Sequence, residues 1–213
     1  PHQELLSALT WLSSSDWEQK FRGLFNVGCL ATYHSDVLLS KLHAVSLAVT
    51  KEVNNLRSRV SCFAMSTLGK LCSTMKKGMD LQVDEITRVL LQKSGDSHDF
   101  IQKTASRCLG VVVESVTPAR AMSALMANGV QHRNILVRKC AAEHLLTVVE
   151  KIGAKKLLSG KWGSTDLLVQ TLVKLAQDSC PDTRCYGRRM LYVLMSHRDF
   201  DRYLKKTSPS HDL

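Results

Sequence analysis

The sequence predicts an all-α fold, a solenoid paddle of about five to six stacked helix pairs. Three observations point there. Apolar residues recur at i, i+3, i+4 and i+7 along most of the chain and nowhere sustain a strict alternation. Only four prolines and eleven glycines interrupt 213 residues, too few for many short strands. The second helix of each predicted pair repeats one pattern at intervals of 39, 45, 36 and 46 residues, close to the roughly 40–47 residue period of two-helix HEAT-type repeats.

Taken in order, a helix from His2 to about Leu12 carries Leu5, Leu6, Leu9 and Leu12 on one face. Ser15 and Glu18 form an S-x-x-E capping box, so a second helix starts there with Trp17, Phe21, Leu24, Phe25 and Leu30. Asp36 to Thr50 reads as a helix, Lys51 to Asn55 as a short loop, and Leu56 to Met75 as a longer helix. Met79 to Gln92 and His98 to Ser115 form the next pair around Lys93–Ser97. Pro118 suits a helix start, where its missing N–H is not needed; that helix ends near Asn128-Gly129, and another runs from Asn134 to about Ile152. After a looser connection at 160–164 come helices over Asp166–Ala176 and Asp182–Ser196, then a short segment over Asp199–Lys206. Residues 1–206 are thus expected to form a single domain, and 207–213 a flexible tail or linker.

The second helices align in columns. Leu56, Ile101, Val137 and Thr183 share one, with Trp17 as the equivalent in the first pair. Four residues on lie Val60, Ala105, Ala141 and Gly187, then Ala64, Leu109, Leu145 and Leu191. Such pairs stack with a continuous core, and the turns inside the pairs emerge along one edge.

Composition limits the function classes. Hydrophobic residues make up 44% and charged residues 23%, an ordinary globular balance. No run of about 18 apolar residues exists to span a membrane, and Pro1 to Glu4 lack a signal-peptide pattern. The missing initial Met is read as the mark of a fragment of a longer protein. Seven cysteines, none in a Cys-x-x-Cys spacing, read as reduced core thiols of a cytosolic protein. Cys140 and His144 lie one turn apart, too little for a metal site. Neither a metal nor another cofactor is expected. No Ser or Cys sits with a His at nucleophile spacing, Asp84 and Glu85 point apart on a helix, and Gly160-Lys161 lacks a phosphate loop. The chain therefore reads as a non-enzyme.

Lys and Arg number 29 against 19 acidic residues, a net charge of +10, which calls for an acidic partner. The charge gathers in or just after the turns: Arg57, Arg59, Lys103, Arg107, Arg138, Lys139, Arg184 and Arg188. Helix N-termini favour negative charge by about 0.3–1 kcal/mol, so recurrent basic first turns suggest a binding edge, although a solvated edge without a role stays open. Trp17 is either a core anchor or an exposed interface aromatic. Aromatics do not interleave with the basic residues as nucleic-acid platforms require, and no basic amphipathic membrane helix stands out. Neither nucleic acid nor membrane is expected as a partner. A scaffold holding another acidic protein or peptide is the alternative.

The run Ser14-Ser15-Asp16-Trp17-Glu18-Gln19-Lys20 resembles the opening motif of TOG domains, in particular those of the CLASP and crescerin families. Asn55-Leu56-Arg57-Ser58-Arg59-Val60 and Thr67-Leu68-Gly69-Lys70-Leu71 resemble the second repeat, Val137-Arg138-Lys139-Cys140 the fourth and Asp182-Thr183-Arg184 the fifth. The resemblance runs from Trp11 to about Tyr203. It implies a paddle of HEAT repeats whose turns bind αβ-tubulin or the microtubule lattice, the Trp turn on β-tubulin and the later basic turns on α-tubulin, so regulating polymerisation or stability. Trp17 would be the aromatic anchor, Asn55 and Arg57 would act in the second turn, Lys103 in the third, Arg138 and Lys139 in the fourth, and Arg184 in the fifth. Asp96 and Asp99 beside Lys103, and Asp182 before a single Arg184, leave contact at the third and fifth turns open. The resemblance further implies a monomeric domain within a larger multi-TOG protein, in the cytoplasm and cytoskeleton, with the cilium or axoneme as the site suggested by crescerin.

Overall fold

The structure is a computed structural model and describes residues 1–207. Among these, every regular element is helical. The helices are α1 (His2–Ser13), α2 (Trp17–Tyr33), α3 (Ser35–Leu39), α4 (Leu42–Val53), α5 (Ser58–Met75), α6 (Val83–Ser94), α7 (Asp99–Ser115), α8 (Pro118–Asn128), α9 (Ile135–Ile152), α10 (Ala154–Leu157), α11 (Thr165–Leu175), α12 (Pro181–Met195) and α13 (Phe200–Thr207), with a 3-10 stretch over Lys76–Gln82. The expected tail thus begins inside α13 at Thr207, and its remaining residues, 208–213, lie outside the described residues.

Two compact units share the chain, Pro1–Ala124 and the residues from Leu125 onward. In the first unit each second helix packs on its own first helix, α2 on α1, α5 on α4 and α7 on α6, while α2, α5 and α7 lie side by side. In the second unit α12 packs against both α9 and α11, and α13 closes against α11. Both cores are built from Leu, Val, Ala, Met and Cys, as sparse aromatics require. The Cys72 thiol is pushed up to about 12 by burial, and burial raises Cys108 further still, so these two act as inert core residues.

Three features differ from the sequence reading. The helix expected over Asp36–Thr50 is two helices, because the chain turns at Ser40-Lys41; there the Ser40 hydroxyl donates to the Val37 carbonyl at 3.2 Å. The break lets α3 bury Val37 and Leu38 while α4 buries Val45 and Val49 along its own face. The N-cap of α2 is Asp16 rather than Ser15: its carboxylate accepts the Glu18 N–H at 3.0 Å while Ser14 Oγ accepts the Asp16 N–H at 3.1 Å.

The third difference is the column register. Leu56 is fully exposed, whereas Val60, one turn later, is buried with Ile101, Val137 and Thr183. A slip of four residues keeps a helical residue on nearly the same face, so apolar spacing alone did not separate Leu56 from Val60. Counted from the observed N-caps Asp16, Arg57, His98, Asn134 and Cys180, Val60 joins the buried Ile101, Val137 and Thr183 at the third position, where the first pair has the exposed Gln19. The seventh position reads Gly23, Ala64, Ala105, Ala141 and Gly187, always small where second helix crosses first. A Cβ at Gly187 would stand 2.6 Å from the Ala176 nitrogen, and one at Gly23 would stand 3.0 Å from the Ala8 carbonyl oxygen.

Candidate functional site

Each turn leading into α2, α5, α7, α9 and α12 is built by the same two side-chain hydrogen bonds. Two residues before the N-cap, an acceptor takes the N-cap N–H: Ser14 at Asp16, Asn55 at Arg57, Asp96 at His98, His132 Nδ1 at Asn134, and Asp178 at Cys180, all within 2.9–3.1 Å. Four residues after the N-cap, a donor reaches back to a carbonyl at the end of the preceding segment. Lys20 donates to Leu12, Ser61 to Val53, Gln102 to Asp96, Arg138 to His132 and Arg184 to Asp178. In the first two turns the second bond satisfies a carbonyl in the last turn of the preceding helix, Leu12 or Val53, and in the other three it satisfies a carbonyl of the turn itself. It also gives the basic first turns a structural cause. Arg138 and Arg184 fold back over their own helix N-termini and are held there by turn carbonyls, those of His132 and Asp178, whose oxygens offset the unfavourable dipole.

The first two turns are joined through a buried carboxylate. Glu52 Oε1 accepts from Lys20 Nζ at 2.6 Å and Oε2 from Asn55 Nδ2 at 3.0 Å, while Asn55 Oδ1 accepts the Arg57 N–H at 2.9 Å. Arg57 is thereby set over the Trp17 ring, its guanidinium carbon 5.1 Å from the ring centroid. Trp17 is half-buried and leans edge-on against Phe21 at 6.0 Å. Its ring is therefore held from below by Phe21 and capped by a cation, an arrangement favourable in itself. Beside it an open groove of about 810 Å³ is lined by Trp17, Lys51, Asn54, Leu56, Arg57 and Glu85, among others.

The later turns differ in how much cation they leave free. Lys103 is exposed and pairs with the equally exposed Asp99 at 2.8 Å, a contact of little weight. Arg138 grips Asp178 with Nε at 2.8 Å and Nη2 at 3.2 Å. It also donates to the carbonyls of His132 and Arg133 and to Ser179 Oγ, so all five of its N–H groups are engaged within the chain. Burial works to raise the Asp178 carboxyl, but its bonds from Arg138 and the Cys180 N–H outweigh this and hold it below the usual range. Lys139 pairs with Asp182 at 3.2 Å, which raises its pKa. Arg184 commits Nη1 to the Asp178 and Ser179 carbonyls and keeps its remaining N–H groups without a partner among the described residues. The structure thus brings Trp17, Asn55 and Arg57 into one cluster, and Arg138, Lys139 and Arg184 into another around Asp178 and Asp182.

Against this geometry, the CLASP N-terminal family model matches residues 10–198. The chain belongs to the CLASP N-terminal family. Over its full 213 residues it is 45% identical to TOG array regulator of axonemal microtubules protein 1 of Mus musculus, of which it spans 12%. A solved structure of crescerin, described as using a TOG domain array to regulate microtubules in the primary cilium, superposes with a TM-score of 0.69 at 15% identity, covering 99% of this chain and 84% of that one. A second, from work on TOG-tubulin binding specificity, gives 0.71 at 13% identity over 95% of this chain and 80% of that one. The fold is that of a TOG domain.

In this CLASP-family chain the turns also carry large apolar side chains that sequence reasoning missed. Leu56 is fully exposed, Phe100 is 70% exposed, and Ile135 and Leu136 are exposed at the start of α9. Each lies within two residues of an N-cap. Apolar periodicity aligned Leu56 with Ile101, Val137 and Thr183 and singled out none of these as a contact residue, because a helix start continues the period of its helix while its first turn projects past the neighbouring helix. Their nearness to the Asx and Ser turn residues was the available signal.

Proposed function

We propose that this chain is a non-catalytic TOG module that binds αβ-tubulin, free or in the microtubule lattice, through the turns within its helix pairs. By this binding it regulates microtubule polymerisation or stability. The observation that carries the reading is the Trp17–Arg57 clasp beside a fully exposed Leu56. An aromatic and an aliphatic side chain are presented by a turn whose backbone is already pinned, so little ordering is needed on binding. Trp17, Leu56, Arg57 and Lys103 make direct contact; Lys139 and Arg184 contribute charge from the second unit. Asn55 and Arg138 act by shaping their turns, since their polar atoms are engaged internally. Microtubule-related names among the relatives support the same partner.

Residues 1–206 act in this reading as one monomeric binding domain of a longer multi-TOG protein, in the cytoplasm and cytoskeleton and, by the likeness to crescerin, in the cilium or axoneme. Co-pelleting with microtubules and gel-filtration co-elution with tubulin test it. The wild type binds in at least one assay, and a Trp17→Glu variant of unchanged helicity loses that binding. A folded wild type that binds in neither assay, or a Trp17→Glu variant that binds equally, refutes it.

A further inference from the structure

Starting beside the second and third turns, the exposed faces of α2, α5 and α7 form a cleft of different chemistry. One groove, of about 390 Å³, is lined by Phe21, Ser58, Arg59, Cys62, Phe63, Ser66 and Phe100. A second, of about 410 Å³, begins at the same Ser66 and continues past Gly69, Lys70 and Ser73 on α5 and Thr104, Arg107 and Val111 on α7. Together they follow α5 from Ser58 to Ser73, about 22 Å at the helical rise, room for about seven extended residues.

The lining has a consistent character. Arg59, Lys70 and Arg107 are exposed and have no ion-pair partner among the described residues, and no carboxylate lines either groove. By contrast, the groove at the first two turns includes Glu52 and Glu85, and the groove along α12 includes Glu150, within 3.8 Å of Arg189. Along α5 the lining includes the small residues Ser58, Ser66, Gly69 and Ser73, and a Cβ on Gly69 would meet only Val111 Cγ1, at 4.0 Å. Such a lining admits a main chain at close range. Apolar surface is supplied at one end by Phe100 and the stacked pair Phe21–Phe63, with centroids 5.0 Å apart, and at the other by Val111. The aromatic rings gather at one end and none lines the stretch past Gly69 and Lys70, so successive bases would find no continuous stacking platform, which argues for a peptide over a nucleic acid.

We propose that this cleft along α5 is a second binding site, for an extended acidic peptide segment carrying an aromatic or branched apolar side chain. The apolar anchor sits by Phe63 and Phe100, and the carboxylates meet Arg59, Lys70 and Arg107. The cleft meets the second and third turns at Ser58, Arg59 and Phe100, but Lys70 and Arg107 lie further along the helices, and the assignment does not rest on the tubulin reading.

The test is fluorescence anisotropy with a fluorescein-labelled peptide of glutamates around one phenylalanine, with a lysine-for-glutamate peptide and an oligodeoxythymidine as comparators. The wild type is expected to bind the acidic peptide, more weakly as salt rises. A Lys70→Glu/Arg107→Glu variant, altered only at exposed positions, is expected to lose at least about tenfold, as charge reversal at two contacts implies. Gly69→Leu, which fills the cleft from within a helix, should lose binding by a steric route while keeping helicity and tubulin co-elution. A folded wild type that ignores the acidic peptide, equal binding by the charge-reversed variant, or tighter binding of the oligonucleotide overturns the assignment. Peptide binding with these losses in a protein that fails the tubulin assays would sink the tubulin reading and leave this one standing.

Discussion

Glu52 is the residue whose removal most directly tests the account of the first two turns. Its side chain is 4% exposed and that of its partner Lys20 14%. Replacing Glu52 with Ala leaves the Lys20 ammonium and the Asn55 amide without their acceptor. Breaking a buried pair from one side costs about 3–5 kcal/mol. Lys20 keeps the Leu12 carbonyl at 3.0 Å, which places this case at the lower end, about 3 kcal/mol. Lys20→Met, which strands the carboxylate, should cost a similar amount. The double variant Lys20→Met/Glu52→Leu removes both charges and should cost about 3 kcal/mol in all, giving a coupling of about 3 kcal/mol. Thermal and urea melts followed by helical circular dichroism read this out; about 3 kcal/mol corresponds to about 6–12 °C in a chain of this size. Because Asn55 positions the Arg57 N–H and loses its own anchor on Glu52, the Glu52→Ala variant should also bind tubulin less tightly than its stability loss alone explains. Single variants costing under about 1 kcal/mol, or costs that simply add, would refute the claim that this pair joins the turns.

Three further outcomes are expected. Leu56→Glu should change stability by less than about 0.5 kcal/mol, since the side chain touches no core, yet abolish microtubule co-pelleting; a melt shifted by several degrees would return Leu56 to the core. Gly187→Ala should destabilise by about 1–3 kcal/mol, because its Cβ meets main-chain atoms of Leu175 and Ala176 that cannot rotate away; a urea midpoint equal to wild type would contradict the crossing geometry. The Asp178 carboxyl is held below its ordinary value in the folded state, so its contribution is present above the unfolded value of about 3.9 and lost as pH falls through the lower folded value. Asp178→Asn should therefore lower stability at neutral pH and flatten its decline below about pH 4; an unchanged acid limb in the urea midpoints would show that Asp178 does not titrate as described.

Helix pairing, the order of elements and the positions of most turns were legible in the sequence because they depend on long apolar periods and on few breakers. Register within a period was less legible. Leu56 and Val60 are both apolar and one turn apart, and only the packed neighbours distinguish them. The N-cap of α2 was missed by one residue for a similar reason: Ser14, Ser15 and Asp16 can each cap a helix in isolation. The structure shows Asp16 in that role with Ser14 as the acceptor two residues before it, a pairing that shows as a recurrent pattern only when all five turns are compared from their true starts. With that register, Ser14, Asn55, Asp96, His132 and Asp178 align as chemically different residues doing one task. A search for identical residues does not find them.

The same register changes what the net charge of +10 means for recognition. Read from sequence, basic first turns cost helix stability and so implied selection for an acidic partner. In the fold, the fourth position after the N-cap is a carbonyl-capping site, and Ser61 and Gln102 fill it as well as Lys20, Arg138 and Arg184 do. Three of the most conspicuous cations therefore have structural employment, and Arg138 is saturated by it. Under the proposed function, recognition then rests on what the turns do not consume: the Trp17 ring under Arg57, the exposed Leu56, and the charges of Lys103, Lys139 and Arg184 that stand partly free. A surface of that kind binds through a few apolar anchors, with its charges serving mainly to bring the partner in.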